Sequence, residues 1–117
     1  MLKPLGEMVM EVAGHVRTID ARSACEEIKA NGGLLVDVRE PGEVELRAAG
    51  GTLNVPRGVL EIKLPELYPD PDTPIYLHCA TGGRARLSAD QLHRMGYRNV
   101  TAVTCNIDVV CEVFGHG

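Results

Sequence analysis

Ile75-Tyr76-Leu77-His78-Cys79-Ala80-Thr81-Gly82-Gly83-Arg84-Ala85 passes from a strand through a glycine turn into a helix within eleven residues. Ile75 to His78 is the strand. From Arg84 to Met95 the apolar positions Ala85, Ala89 and Leu92 fall on one helical face, and Gly96 is the stop. The same alternation continues on both sides. Upstream, Val16 to Ile19 reads as a short strand, Asp20 as the cap of a helix carrying Ala24, Cys25 and Ile28, and Asn31-Gly32-Gly33 as its end. Leu34 to Val38 is an uninterrupted β-rich run, as in a parallel strand covered on both faces. Pro41 suits the first turn of a short helix after it. Thr52 to Val55 forms a third strand, followed by a helical segment from Gly58 to about Leu67 and an irregular, proline-rich loop from Tyr68 to Pro74. Downstream, Asn99 to Thr104 is a fifth strand, and Ile107 to Phe114 a closing helix capped by Asn106.

Strands and helices that alternate in this way imply an α/β fold, a central five-stranded parallel sheet with helices on both faces. Residues 1–14 add a helical extension built on Leu5, Met8, Val9 and Val12, ahead of a domain spanning 15–117. Ligands of open parallel sheets bind beyond the carboxyl ends of the strands, and Cys79 stands at one of those ends.

The chain has 117 residues, which suits one domain. Its hydrophobic content of 44% is enough for an aliphatic core without disulfide staples. Net charge is −4, which disfavours a nucleic-acid partner. No apolar run approaches the ~20 residues that span a bilayer, and Pro4, Glu7 and Glu11 interrupt the start where a secretory signal would be continuous. The expected location is cytoplasmic. Cys25, Cys79, Cys105 and Cys111 lack a C-x-x-C pair and are expected as thiols there. The scattered histidines have no metal-ligand spacing with them, so neither a metal nor an organic cofactor is expected.

The turn after Cys79 is suited to anions. Successive amides there can curl into a nest, and the helix behind it presents free N–H groups and the positive end of its dipole. Donors around a sulfur favour its thiolate, which makes Cys79 the nucleophile. Ala80, Thr81, Gly82 and Gly83 line the cradle, and Arg84 offers a planar donor set to a sulfonate, sulfate or phosphate-like group.

Cys79, Gly82, Arg84 and Ala85 match the loop C-x-x-G-x-R-[SA], which resembles the active-site loop of the rhodanese-like sulfurtransferases. Val36 to Pro41 is similar to that family's D-V-R-E-P segment, Leu53-Asn54-Val55-Pro56 to its A-I-N-I-P strand, and Gly96 to Val100 to its G-[FY]-x-N-V lead into the fifth strand. The resemblance implies transfer of sulfane sulfur from thiosulfate or a related anionic donor, through a Cys79 persulfide, to cyanide, a thiol or a sulfur-accepting protein. It also implies that the fourth strand lies between the second and fifth, so that Asp37 and Thr104-Cys105 flank Cys79. Asp37 is then expected to orient the loop through hydrogen bonds, and Arg39 to support it, either paired with Glu43 or solvated. Two motifs depart from the family. Ala49 to Leu53 replaces G-H-I-P-G-A, and Thr104 to Asp108 replaces G-G-x-x-x-W in a chain without Trp. The second departure brings in Cys105, a small apolar filler or else a second thiol able to take sulfur from Cys79. Cys25 and Cys111 read as core, His78 as packed beneath the loop and Arg86 as facing solvent.

Two other readings carry different expectations. A cysteine-dependent phosphatase or arsenate reductase typically needs the longer C-x5-R loop, whereas the arginines here fall at C-x4-R and C-x6-R. A non-catalytic interaction module of the same fold would fail to load sulfur and would bind a protein partner tightly.

Overall fold

The computed structural model describes residues 1–117. In chain order these form α1 (Leu5–Ala13), β1 (Arg17–Ile19), α2 (Ala21–Asn31), β2 (Leu34–Asp37), α3 (Pro41–Leu46), β3 (Thr52–Asn54), a 3-10 turn (Arg57–Val59), α4 (Leu60–Leu67), β4 (Ile75–His78), α5 (Gly83–Met95), β5 (Val100–Val103) and α6 (Ile107–Phe114). The five strands pair in parallel in the order β1-β5-β4-β2-β3. β4 therefore lies between β2 and β5, as expected. The expected helix from Gly58 is divided: Val59 has φ −123° and ψ 5°, which breaks the α-helical run and leaves a 3-10 turn before α4.

Local chemistry sets the ends of the elements. The Asp20 side chain accepts from the Ser23 amide at 2.8 Å and opens α2, and Gly32 at φ 70° closes it. Asn106 accepts from the Val109 amide at 3.1 Å to open α6. Two apolar layers sandwich the sheet. One joins Val12 of α1, Leu60 and Leu64 of α4, and Ala85, Ala89 and Leu92 of α5 to Val36, Ile75, Leu77 and Cys79. The other joins Ala21 and Ala24 of α2, and Val110 and Cys111 of α6, to Leu35, Tyr76 and Val103. Cys111 is core, as expected. Cys25 is only half-buried, because it stands at the edge of the α2–α6 contact in a surface cleft with Glu26, Lys29 and Glu112.

His78 lies beside Asp37 in the β2–β4 register and is fully buried. The Thr52 hydroxyl donates to the Leu35 carbonyl at 3.3 Å, so it accepts from His78 Nε2–H at 2.9 Å, and Nδ1 is left without a partner. Burial pushes the imidazole down to about 4, with Asp37 opposing the shift and Arg39 adding to it. The folded protein thus holds His78 neutral in a pH range where the unfolded chain binds a proton. Stability is expected to fall as pH drops from the ordinary histidine value of 6.5 to about 4, by about 3 kcal/mol in all. Urea midpoints measured between these pH values check this. His78→Gln should flatten the acid limb, and an unchanged limb would assign the acid sensitivity elsewhere.

Candidate functional site

Cys79 follows the last residue of β4, and its side chain turns to the α5 face of the sheet. Its Sγ accepts hydrogen bonds from the amides of Gly82 at 3.0 Å and Ala85 at 3.3 Å. The reason is the geometry of a helix start. Gly82 is the N-cap of α5, but a glycine has no side chain with which to cap. The cysteine sulfur takes that place and receives the otherwise free amide of the third helical residue. Gly82 reaches the required conformation with φ 98°. The Ala80 carbonyl accepts from the Ile107 amide at 3.0 Å, which ties the loop to the start of α6.

Of the residues expected to cradle a ligand, Gly82 points its amide at the sulfur, Thr81 is exposed, and Ala80, Gly83 and Arg84 are half-buried. Ala85 was not among them. Its signal was present in the sequence, since it is the third residue of a helix opened by two glycines. Cys79 itself is only 1% exposed, and none of the surface cavities opens onto it. A reactant therefore reaches the sulfur only if the loop or the side chains over it move.

The charged groups pair differently from the expectation. Arg39 does not meet Glu43. Its Nε lies 3.1 Å from both Asp37 carboxylate oxygens, its Nη2 donates to Asp37 Oδ2 at 2.8 Å, and the same Nη2 donates to the Arg47 carbonyl at 2.6 Å. The Arg39 amide also donates to Asp37 Oδ1 at 2.9 Å. Asp37 therefore orients the exit of β2 rather than the Cys79 loop. Glu43 instead accepts from Arg84, at 2.6 Å to Oε1 and 3.0 Å to Oε2. The Arg84 hydrogen bonds hold the Glu43 carboxyl at about 2, well below its usual 4.5, so the pair stays ionised throughout the neutral range. Arg86 does not simply face solvent. It is half-buried, and its Nη1 is 2.8 Å from the point that a Cβ on Gly82 would occupy.

Cys105 is not brought to Cys79. Its Sγ accepts from the Ala21 amide at 3.3 Å, and the side chain packs with the α2–α6 layer on the opposite face of the sheet. The segment that replaces the tryptophan motif is used locally, with Asn106 capping α6 and Ile107 holding Ala80.

Residues 14–108 match the family model described as Rhodanese-like domain. Among solved structures, the reduced CoADR-RHD of Bacillus anthracis is 33% identical with a TM-score of 0.70, over 86% of this chain and 17% of that one. A rhodanese-related protein from Thermoplasma volcanium is 30% identical with a TM-score of 0.69, over 82% of this chain and 91% of that one. A thiosulfate sulfurtransferase from Pseudomonas aeruginosa is 26% identical with a TM-score of 0.75, over 96% of this chain and 21% of that one. The chain thus spans about a fifth of the length of the first and the last of these.

Proposed function

The chain belongs to the rhodanese-like domain family, and from that premise we propose that it is a sulfurtransferase that carries sulfane sulfur as a persulfide on Cys79. The observation that carries this reading is the convergence of two main-chain amides on Cys79 Sγ at the carboxyl end of a central strand. Donors fixed before the reaction stabilise negative charge on sulfur without having to reorganise. The same two amides can serve the attacking sulfur and the charge that a persulfide carries.

In the first half-reaction the Cys79 thiolate attacks the outer sulfur of thiosulfate. The S–S bond of the donor breaks, sulfite leaves with its electron pair, and the terminal persulfide sulfur carries the charge. In the second, cyanide or an acceptor thiolate attacks that terminal sulfur and the Cys79 thiolate leaves. The scheme is ping-pong through a covalent intermediate. The phosphatase reading is less well supported, because the arginine of the short C-x4-R loop is already bonded to Glu43.

Peptide mapping by mass spectrometry after thiosulfate treatment tests the proposal. The expected result is a gain of one sulfur atom on the peptide containing Cys79, reversed by cyanide with release of thiocyanate. Absence of that gain, or its location on another cysteine, refutes the assignment.

A further inference from the structure

We infer that α1 is a displaceable cover for the Cys79 loop, and that reactants reach the sulfur when this helix comes off α5. The inference goes beyond the proposed chemistry and takes from it only that Cys79 is the reacting thiol.

α1 stands outside the residues 14–108 that match the family model, yet it packs along the helix that Cys79 caps. Val9 Cγ2 lies 4.0 Å from the point that a Cβ on Gly83 would occupy. Gly83 sits between Gly82 and Ala85, whose amides hold Cys79 Sγ. Val12 belongs to the same apolar layer as Cys79, Ala85 and Ala89. His15, just past the helix, places Nε2 2.6 Å from Asp90 Oδ1. Val9 thus meets the first residue of α5 and His15 meets a residue about two turns further along, so the two helices run in the same direction. The first turn of α1 therefore extends past the start of α5, on the side of the loop. Leu5 falls on the stripe of Val9 and Val12, at the i+4 and i+7 spacing, yet it is 66% exposed because α5 begins opposite Val9.

Something over the buried sulfur has to move, and the attachments around the loop are unequal. α3 is joined to α5 by the Glu43–Arg84 pair, and α6 to the loop by the Ile107 amide on the Ala80 carbonyl. α1 has nothing of that kind. Its Pro4 N-cap gives no side-chain hydrogen bond, Lys3 and Glu11 pair with each other, and Val12 is its one buried residue. Apart from apolar contact, the tether is His15, whose side chain is half exposed, and Asp90 is also bonded by Arg94 at 3.0 Å. A helix of nine residues is not stable away from such a surface, and Gly6 weakens it further. Leaving α5 therefore means unwinding. The balance between docked helix and loose segment sets how often the cradle is uncovered.

Alkylation of the full chain by iodoacetamide, an uncharged reagent, tests this when the sites are resolved by peptide mapping. The rate at Cys79 is divided by the rate at Cys111, a thiol 1% exposed in the opposite apolar layer, so that changes in overall stability cancel. Val9→Ala trims the contact with Gly83 and should raise this ratio roughly fivefold. Gly6→Ala combined with Gly14→Ala should lower it roughly fivefold. A Cβ at either glycine meets no atom within 4 Å and neither has a positive φ, so alanine favours the docked helix. A ratio that fails to move in opposite directions in the two proteins overturns the inference. The measurement needs no sulfur loading. If the opposite shifts appear while thiosulfate leaves no sulfur on Cys79, the cover stands and the persulfide reading fails.

Discussion

Gly82→Ala should lower the rate of sulfur loading on Cys79 roughly a hundredfold, the cost typical of losing one preorganised donor at an anionic centre. Gly82 has φ 98°, where an L side chain is strained by about 1–2 kcal/mol. A new Cβ would also lie 2.8 Å from Arg86 Nη1 and 3.2 Å from the Thr104 carbonyl. The arginine can swing away. The carbonyl belongs to the end of β5 and yields less, so the loop must shift and carry the Gly82 amide off the sulfur. Rapid-quench loading with thiosulfate measures the effect. A variant that loads at the native rate would show that this amide does not matter to the reaction. Because the strain falls in the loop and not in the sheet, most of the thermal stability should survive.

The largest loss of stability is expected from Arg39→Ala. Arg39 and Asp37 have side-chain exposures of 4% and 0%, and removing the guanidinium leaves a carboxylate in the interior with a single main-chain donor. Breaking a buried ion pair from one side costs about 3–5 kcal/mol, which corresponds to a fall in Tm on the order of 15 °C for a domain of this size. The paired substitution Asp37→Leu with Arg39→Leu should regain much of the loss, since no charge is then stranded. Calorimetry on the three proteins decides. A Tm for Arg39→Ala within a few degrees of the native value would mean that water reaches Asp37 and that the pair is not truly interior.

The parts of the fold that were legible in the sequence are those set by neighbours along the chain. Asp20 and Asn106 cap helices three residues ahead of the amides they bind, and Gly32 and Gly96 end helices through their own backbone angles. Leu34 to Val38 reads as a covered strand because it is an uninterrupted β-rich run, and Ile75 to His78 reads as a strand ahead of the glycine turn. The match of residues 14–108 to the family model agrees with the motif reading. What was not legible depends on side chains meeting across the fold. Glu43 and Arg84 are 41 positions apart, and nothing local says that the arginine nearest the cysteine is already engaged. Arg39 has Asp37 only two residues away, but their pairing depends on the β2 exit curling back on itself, which no local pattern signals. Burial of Cys79 likewise results from tertiary packing, since the loop itself is rich in glycine and polar groups.

The central sheet keeps the Cys79 and Cys105 sulfurs apart, one under α5 and the other against α2. If Cys79 carries sulfur as proposed, that sulfur finds no relay at Cys105, and mild oxidants cannot join those two thiols across the sheet. On the proposed reading the recipient of that sulfur must come to the loop itself, so throughput would scale with how often the recipient and the opened loop meet.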